Sequence, residues 1–106
     1  MEKKEARLYR NTLVAKKIKM LQLEKLYLKL TKLGTPEEDY YLHGLYGSTS
    51  DNNKLAMIVK KGEYFVEYEI YYKEKGQKDV IQVFTDFDLA SDYFIKQLNQ
   101  SRKDSK

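Results

Sequence analysis

The sequence predicts an α+β fold: a long N-terminal helix, a three- to four-stranded antiparallel meander and a C-terminal helix. Three observations predict it. Residues 2–33 contain neither Gly nor Pro and consist mostly of good helix formers. Residues 64–72 alternate, with Tyr64, Val66, Tyr68, Ile70 and Tyr72 set against Phe65, Glu67, Glu69 and Tyr71, which is the period of a strand. Strand-like runs at 54–60, 64–72 and 80–84 are joined by short turns holding one Gly each, the connection that antiparallel neighbours use. Helices laid on one sheet face give the economical two-layer packing.

In order along the chain, Ala6, Tyr9, Leu13, Ile18 and Leu21 recur at helical spacing, and Leu23, Leu26, Leu30 and Leu33 continue on a shifted stripe. The shift predicts one curved helix or two helices meeting near Met20. Gly34 suits the left-handed residue just past a helix end. Thr35-Pro36-Glu37-Glu38 predicts a new helical start of about one turn, with Thr35 as cap, Pro36 at the first position and Glu38 closing a capping box. Residues 47–53 are a polar loop by composition. The sheet is expected over 54–85, with tight turns at Lys61-Gly62 and Lys75-Gly76-Gln77. The last helix is expected over 86–100, capped by Thr85 and lined by Phe87, Ala90, Phe94 and Leu98, with a frayed polar tail at 101–106. All of this makes one domain, residues 1–100.

Charge is divided unevenly. The net charge is +4, yet residues 1–33 carry ten basic and three acidic side chains, or +7, and the remainder carries ten and thirteen, or −3. A basic helical segment is thus joined to a mildly acidic body, which bears on partners and not on fold. No apolar run approaches the length of a bilayer span, and the charged N-terminus does not read as a secretory signal, so a cytoplasmic protein is expected.

Catalytic chemistry finds little support. There is no Cys, and the single imidazole, His43, has no nucleophile motif to serve. The five glycines stand singly, so no phosphate-cradling loop is present, and Asp51-Asn52-Asn53 is too short for a calcium loop. The expectation is a protein that is not an enzyme, with no cofactor and no metal. If the even-numbered residues of 64–72 pack on the helices, the opposite face presents Phe65, Glu67, Glu69 and Tyr71, acidic with aromatic edges. With Glu74 and Asp79, the residues Glu67, Glu69 and Tyr71 are the candidate surface for a basic partner protein.

Residues 68–94 carry a resemblance. The run Tyr68-Glu69-Ile70-Tyr71-Tyr72-Lys73-Glu74-Lys75-Gly76, then Phe84 and Asp88-Leu89-Ala90-Ser91-Asp92-Tyr93-Phe94, resembles a pattern of small immunity proteins that neutralise polymorphic toxins in Gram-positive bacteria. Here Lys75 stands where that pattern has Arg, Tyr68 where Trp is common and Ser91 where Cys is common. The resemblance covers about a quarter of the chain. It implies strands closed by a C-terminal helix, and inhibition of one cognate toxin domain by direct binding. Two alternatives remain open on the residues alone. The basic helix, with Lys25, Lys29 and Lys32 on one face, suits a small nucleic-acid-binding domain. The same helix could instead pair with another helix in an adaptor or assembly subunit.

Overall fold

The computed structural model describes residues 2–104, with side-chain surroundings for residues 17–100. Helix α1 (Glu2–Lys32) opens the chain and is followed by a single 3-10 turn, Glu37–Asp39. Strands β1 (Tyr40–Leu42), β2 (Tyr46–Gly47), β3 (Leu55–Lys61), β4 (Val66–Glu74) and β5 (Gln77–Phe84) come next, and helix α2 (Phe87–Asp104) closes the fold. The fold is α+β, as the sequence predicts, but the sheet is larger and mixed. Its five strands run in the order β2-β1-β3-β4-β5, with β1 parallel to β3 and every other pair antiparallel. The sheet therefore begins at Tyr40, well before residue 54, and is not a pure meander.

Helix α1 is continuous across Met20. Leu23, Leu26 and Leu30 are buried on its inner side, so the shift of stripe near Met20 marks a change of face and not a break. The helix ends as Gly34 predicts. Gly34 adopts φ 78°, its N–H donates to the Thr31 carbonyl and the Thr35 N–H reaches back to Leu30, which satisfies the last carbonyls in a Schellman motif. The capping box is not formed. Pro36, not Thr35, is the N-cap residue of the 3-10 turn, and proline has no side-chain acceptor with which to cap it.

The irregular, aromatic segment after that turn folds into β1 and β2. Gly47, at φ 79°, lets β2 lie against β1: a Cβ there would stand 2.6 Å from the Tyr40 carbonyl oxygen. At the other end of the sheet, Lys75 and Gly76 both take positive φ (51° and 79°) in a two-residue turn, which sets Glu74 opposite Gln77. The turn between β3 and β4 is longer than predicted. It holds Gly62–Phe65, closed by Gly62 N–H to the Phe65 carbonyl at 2.9 Å, and leaves Tyr64 and Phe65 on the tip with 82% and 70% of their surface exposed.

Helix α2 starts one residue later than expected. Asp86, not Thr85, is the cap, its Oδ1 accepting from the Leu89 N–H at 3.0 Å. A carboxylate outdoes a hydroxyl there because it also faces the positive end of the helix dipole. The helix continues to Asp104 through residues expected to fray; Met1, Ser105 and Lys106 lie outside the described residues.

One core unites both helices with one sheet face. Leu23, Leu26 and Leu30 from α1, and Phe87, Ala90, Phe94 and Leu98 from α2, pack on Tyr40, Leu42, Leu55, Met57, Val59, Tyr68 and Ile70. Tyr40 meets Phe94 edge-on and Tyr68 meets Phe87 likewise, the arrangement that aromatic quadrupoles favour. The residues between those, Tyr41, Ala56, Ile58, Glu69 and Tyr71, point to the face that neither helix covers.

Candidate functional site: the uncovered sheet face

Strand alternation and cross-strand register build this face. Tyr71 lies opposite Ala56 and Val80, Glu69 opposite Ile58 and Val83, and Glu67 opposite Lys60. At the centre, Glu69 and Tyr71 are 6% and 3% exposed. The sequence-based expectation of an acidic face with solvent-facing carboxylates therefore changes at its middle. Lys60 stands 3.3 Å from Glu69 Oε1 and Lys78 2.5 Å from Oε2. Both contacts are ion pairs on the one carboxylate. Burial alone would push the Glu69 carboxyl up, but Lys78 and Lys60 outweigh it and leave it below its ordinary value.

Tyr71 is held from both sides. Its hydroxyl donates to Asp51 Oδ2 at 2.6 Å, and Lys78 Nζ lies 4.4 Å from its ring centroid. Burial, then the Asp51 carboxylate, raises the phenol well above its ordinary range. The Tyr71 hydrogen bond, helped by Lys73 at 3.4 Å, lowers Asp51 against a smaller opposing effect of burial. These shifts fix a neutral phenol and charged carboxylates across the neutral pH range. They stabilise a geometry and prepare no group for proton transfer. Three lysines (60, 73, 78) and three acids (Asp51, Glu67, Glu69) share the face, two lysines on Glu69 and one on Asp51, so it is balanced in charge and not acidic.

Around this locked centre stand apolar side chains. Ile58 is half-buried, and Val80, Ile81 and Val83 on the edge strand β5 are exposed. A register shift opposite Ile70/Tyr71 places Ile81 as the extra residue of a bulge, a common device on edge strands.

Of the five residues singled out in the sequence, Glu67, Glu69 and Tyr71 share this face. Glu74 and Asp79 do not. Following Tyr72 in the alternation, they lie on the opposite side, exposed, and border a shallow depression of about 560 Å³ at the β4–β5 hairpin with Tyr72, Lys75, Gln77 and Lys78. Asp51, Lys60, Lys73 and Lys78 were not singled out. Lys78 was within reach, since the two-residue turn fixes its position opposite Lys73; Asp51 was not, because its irregular loop meets β4 only through tertiary contacts, the Asn52–Lys73 bridge and the Asp51 contacts with Tyr71 and Lys73.

His43, at the end of β1, has a structural task. Its φ is 52°, outside the strand region, and its Nδ1 accepts the Val59 N–H at 3.0 Å, where the next ladder oxygen would stand. The ring substitutes for a backbone carbonyl.

With this geometry in place, comparison with known proteins adds no relative. No family model, curated protein or solved structure matches the chain. Among the described residues, no helix is long and apolar enough to cross a membrane.

Proposed function

We propose that this chain is a non-catalytic inhibitor, an immunity protein of the polymorphic-toxin type, working in the bacterial cytoplasm by seating its uncovered sheet face on the active site or substrate groove of one cognate toxin domain. One observation carries the reading. A sheet face left bare by both helices has its polar centre locked by Asp51–Tyr71 and Lys60–Glu69–Lys78, with exposed apolar residues Val80, Ile81 and Val83 at its edge. A surface ordered before contact loses little entropy on binding, and apolar side chains beside satisfied charges supply anchoring area.

The resemblance at 68–94 is compatible with this division of labour. Gly76 forms the hairpin turn, and Phe87, Ala90 and Phe94 are buried, so those positions support the fold and leave the exposed face to define the partner. Of the five candidate contacts, Glu67 stands at the margin of this face, Glu69 and Tyr71 act from beneath by holding it rigid, and Glu74 and Asp79 would meet a partner that wraps the hairpin.

The test is co-expression with the C-terminal toxic domain of a large secreted protein encoded beside this chain's gene. Growth should be restored by the wild type and lost with Val80→Glu/Val83→Glu, whose exposed positions leave folding intact. Failure of the wild type to form a complex with that domain would end the proposal. Rescue untouched by the double variant would move the interface elsewhere.

A further inference from the structure

Helix α1 has a second apolar stripe that the fold does not use. Ile18, Leu21 and Leu28 are 50%, 58% and 51% exposed, although Leu23, Leu26 and Leu30 of the same helix are buried. At 100° per residue the two sets point roughly 160° apart, so the outer set faces away from the sheet. The positions 18, 21, 25, 28 and 32 follow the three-four spacing of a coiled-coil seam, with Ile18, Lys25 and Lys32 at one seam position and Leu21 and Leu28 at the other. All five are exposed. Lys17 and Lys29 flank the seam, and Glu24 is the one acid beside it.

We propose that this outer face of α1 is a docking seam for an acidic amphipathic helix of another protein, a surface separate from the sheet face and independent of the inhibitor reading. The charge pattern selects the occupant. A parallel pair of two copies would stack Lys25 on Lys25 and Lys32 on Lys32, and an antiparallel pair centred on residue 29 would bring the two Lys29 side chains together. Like charges in those places disfavour self-pairing and reward a partner that offers Glu or Asp opposite each lysine. A helix lying in a membrane surface needs a broad apolar face, whereas here the apolar stripe is a narrow seam with lysines set into it. Phosphate contacts of nucleic acid would engage the lysines and leave Leu21 and Leu28 without a role.

The experiment uses the full chain and a synthetic helical peptide with leucines at seam positions and glutamates flanking them, read by fluorescence anisotropy. The acidic peptide should bind at least about tenfold more tightly than the same peptide with lysines for glutamates. Leu21→Ser/Leu28→Ser should abolish that binding without moving the melting temperature, and Lys25→Glu/Lys32→Glu should reverse the charge preference. Several results would overturn the proposal: equal or absent binding of the two peptides, or acidic-peptide binding that the serine variant retains. So would tighter binding to phosphatidylserine vesicles or a single-stranded oligonucleotide, or a dimer in sedimentation that the serine variant dissolves.

Discussion

Two side chains show how single residues are constrained here. The His43 ring serves as an acceptor only while Nδ1 is unprotonated. Burial first, and Lys19 second, hold its pKa below the usual 6.5. The unfolded chain therefore takes up the proton before the folded one as pH falls. Stability from this group is complete above about pH 6.5 and is lost as pH drops from there through the lower folded value. Replacing His43 by Asn, which tolerates the left-handed conformation, should cost about 1 kcal/mol at neutral pH and flatten the melting-temperature profile below pH 6.5. Parallel profiles for the two proteins would refute the ring's role. Ser91 poses the opposite problem. It is buried in α2 with no protein hydrogen-bond partner for its hydroxyl, at the position where the resembled pattern carries the less polar Cys. Ser91→Ala removes a desolvated hydroxyl and almost no volume, so chemical denaturation should show a gain of about 1 kcal/mol. A loss would mean that the hydroxyl is satisfied within its own helix turn.

Among the elements, those with local signals were legible in the sequence and those made by tertiary pairing were not. The Gly- and Pro-free run gave α1, Gly34 its end, and the Lys75-Gly76 pair the β4–β5 register, because each depends on neighbours within a turn or two. Strands β1 and β2 hold three and two residues and exist because β1 lies parallel to β3, a contact that no local pattern encodes. The same limit explains the sheet face. Alternation placed Glu67, Glu69 and Tyr71 together, but the lysines that pair with Glu69 come from β3 and β5, and the Asp51 that holds Tyr71 comes from a loop. Helix α1 tests the distinction between stripes. Leu26 is fully buried, and truncating it to Ala should cost about 2–5 kcal/mol through lost burial and the cavity left behind. Leu21→Ala, five residues earlier on the outer face, should stay within about 0.5 kcal/mol. Similar losses at both positions, measured by urea unfolding, would show that the outer stripe is packed and not free.

At the scale of the whole molecule, charge and cohesion are separated. The basic segment and the acidic body bear opposite net charge, which invites the idea that attraction holds α1 on the sheet. The ion pairs argue otherwise. Among residues 17–100, whose side chains are described, all three lie on or beside the uncovered sheet face, and none joins α1 to the rest. What fastens α1 is the apolar contact of Leu23, Leu26 and Leu30 with the core, reinforced by the Tyr68 hydroxyl donating to Gln22 Oε1 at 2.8 Å and the stacked Tyr27–Tyr46 rings. Apolar cohesion is indifferent to screening, whereas attraction between exposed charges fades as the screening length falls from about 30 Å at 0.01 M salt to about 3 Å at 1 M. Across that range the melting temperature should move by less than the 4 °C or so that about 1 kcal/mol would produce in a domain of this size. Binding of an acidic helix to the outer seam should weaken more than about tenfold over the same interval, since its lysines are exposed. A melting temperature that fell steeply with salt would make charge a determinant of the fold, and the basic face of α1 would then belong to the body's own packing.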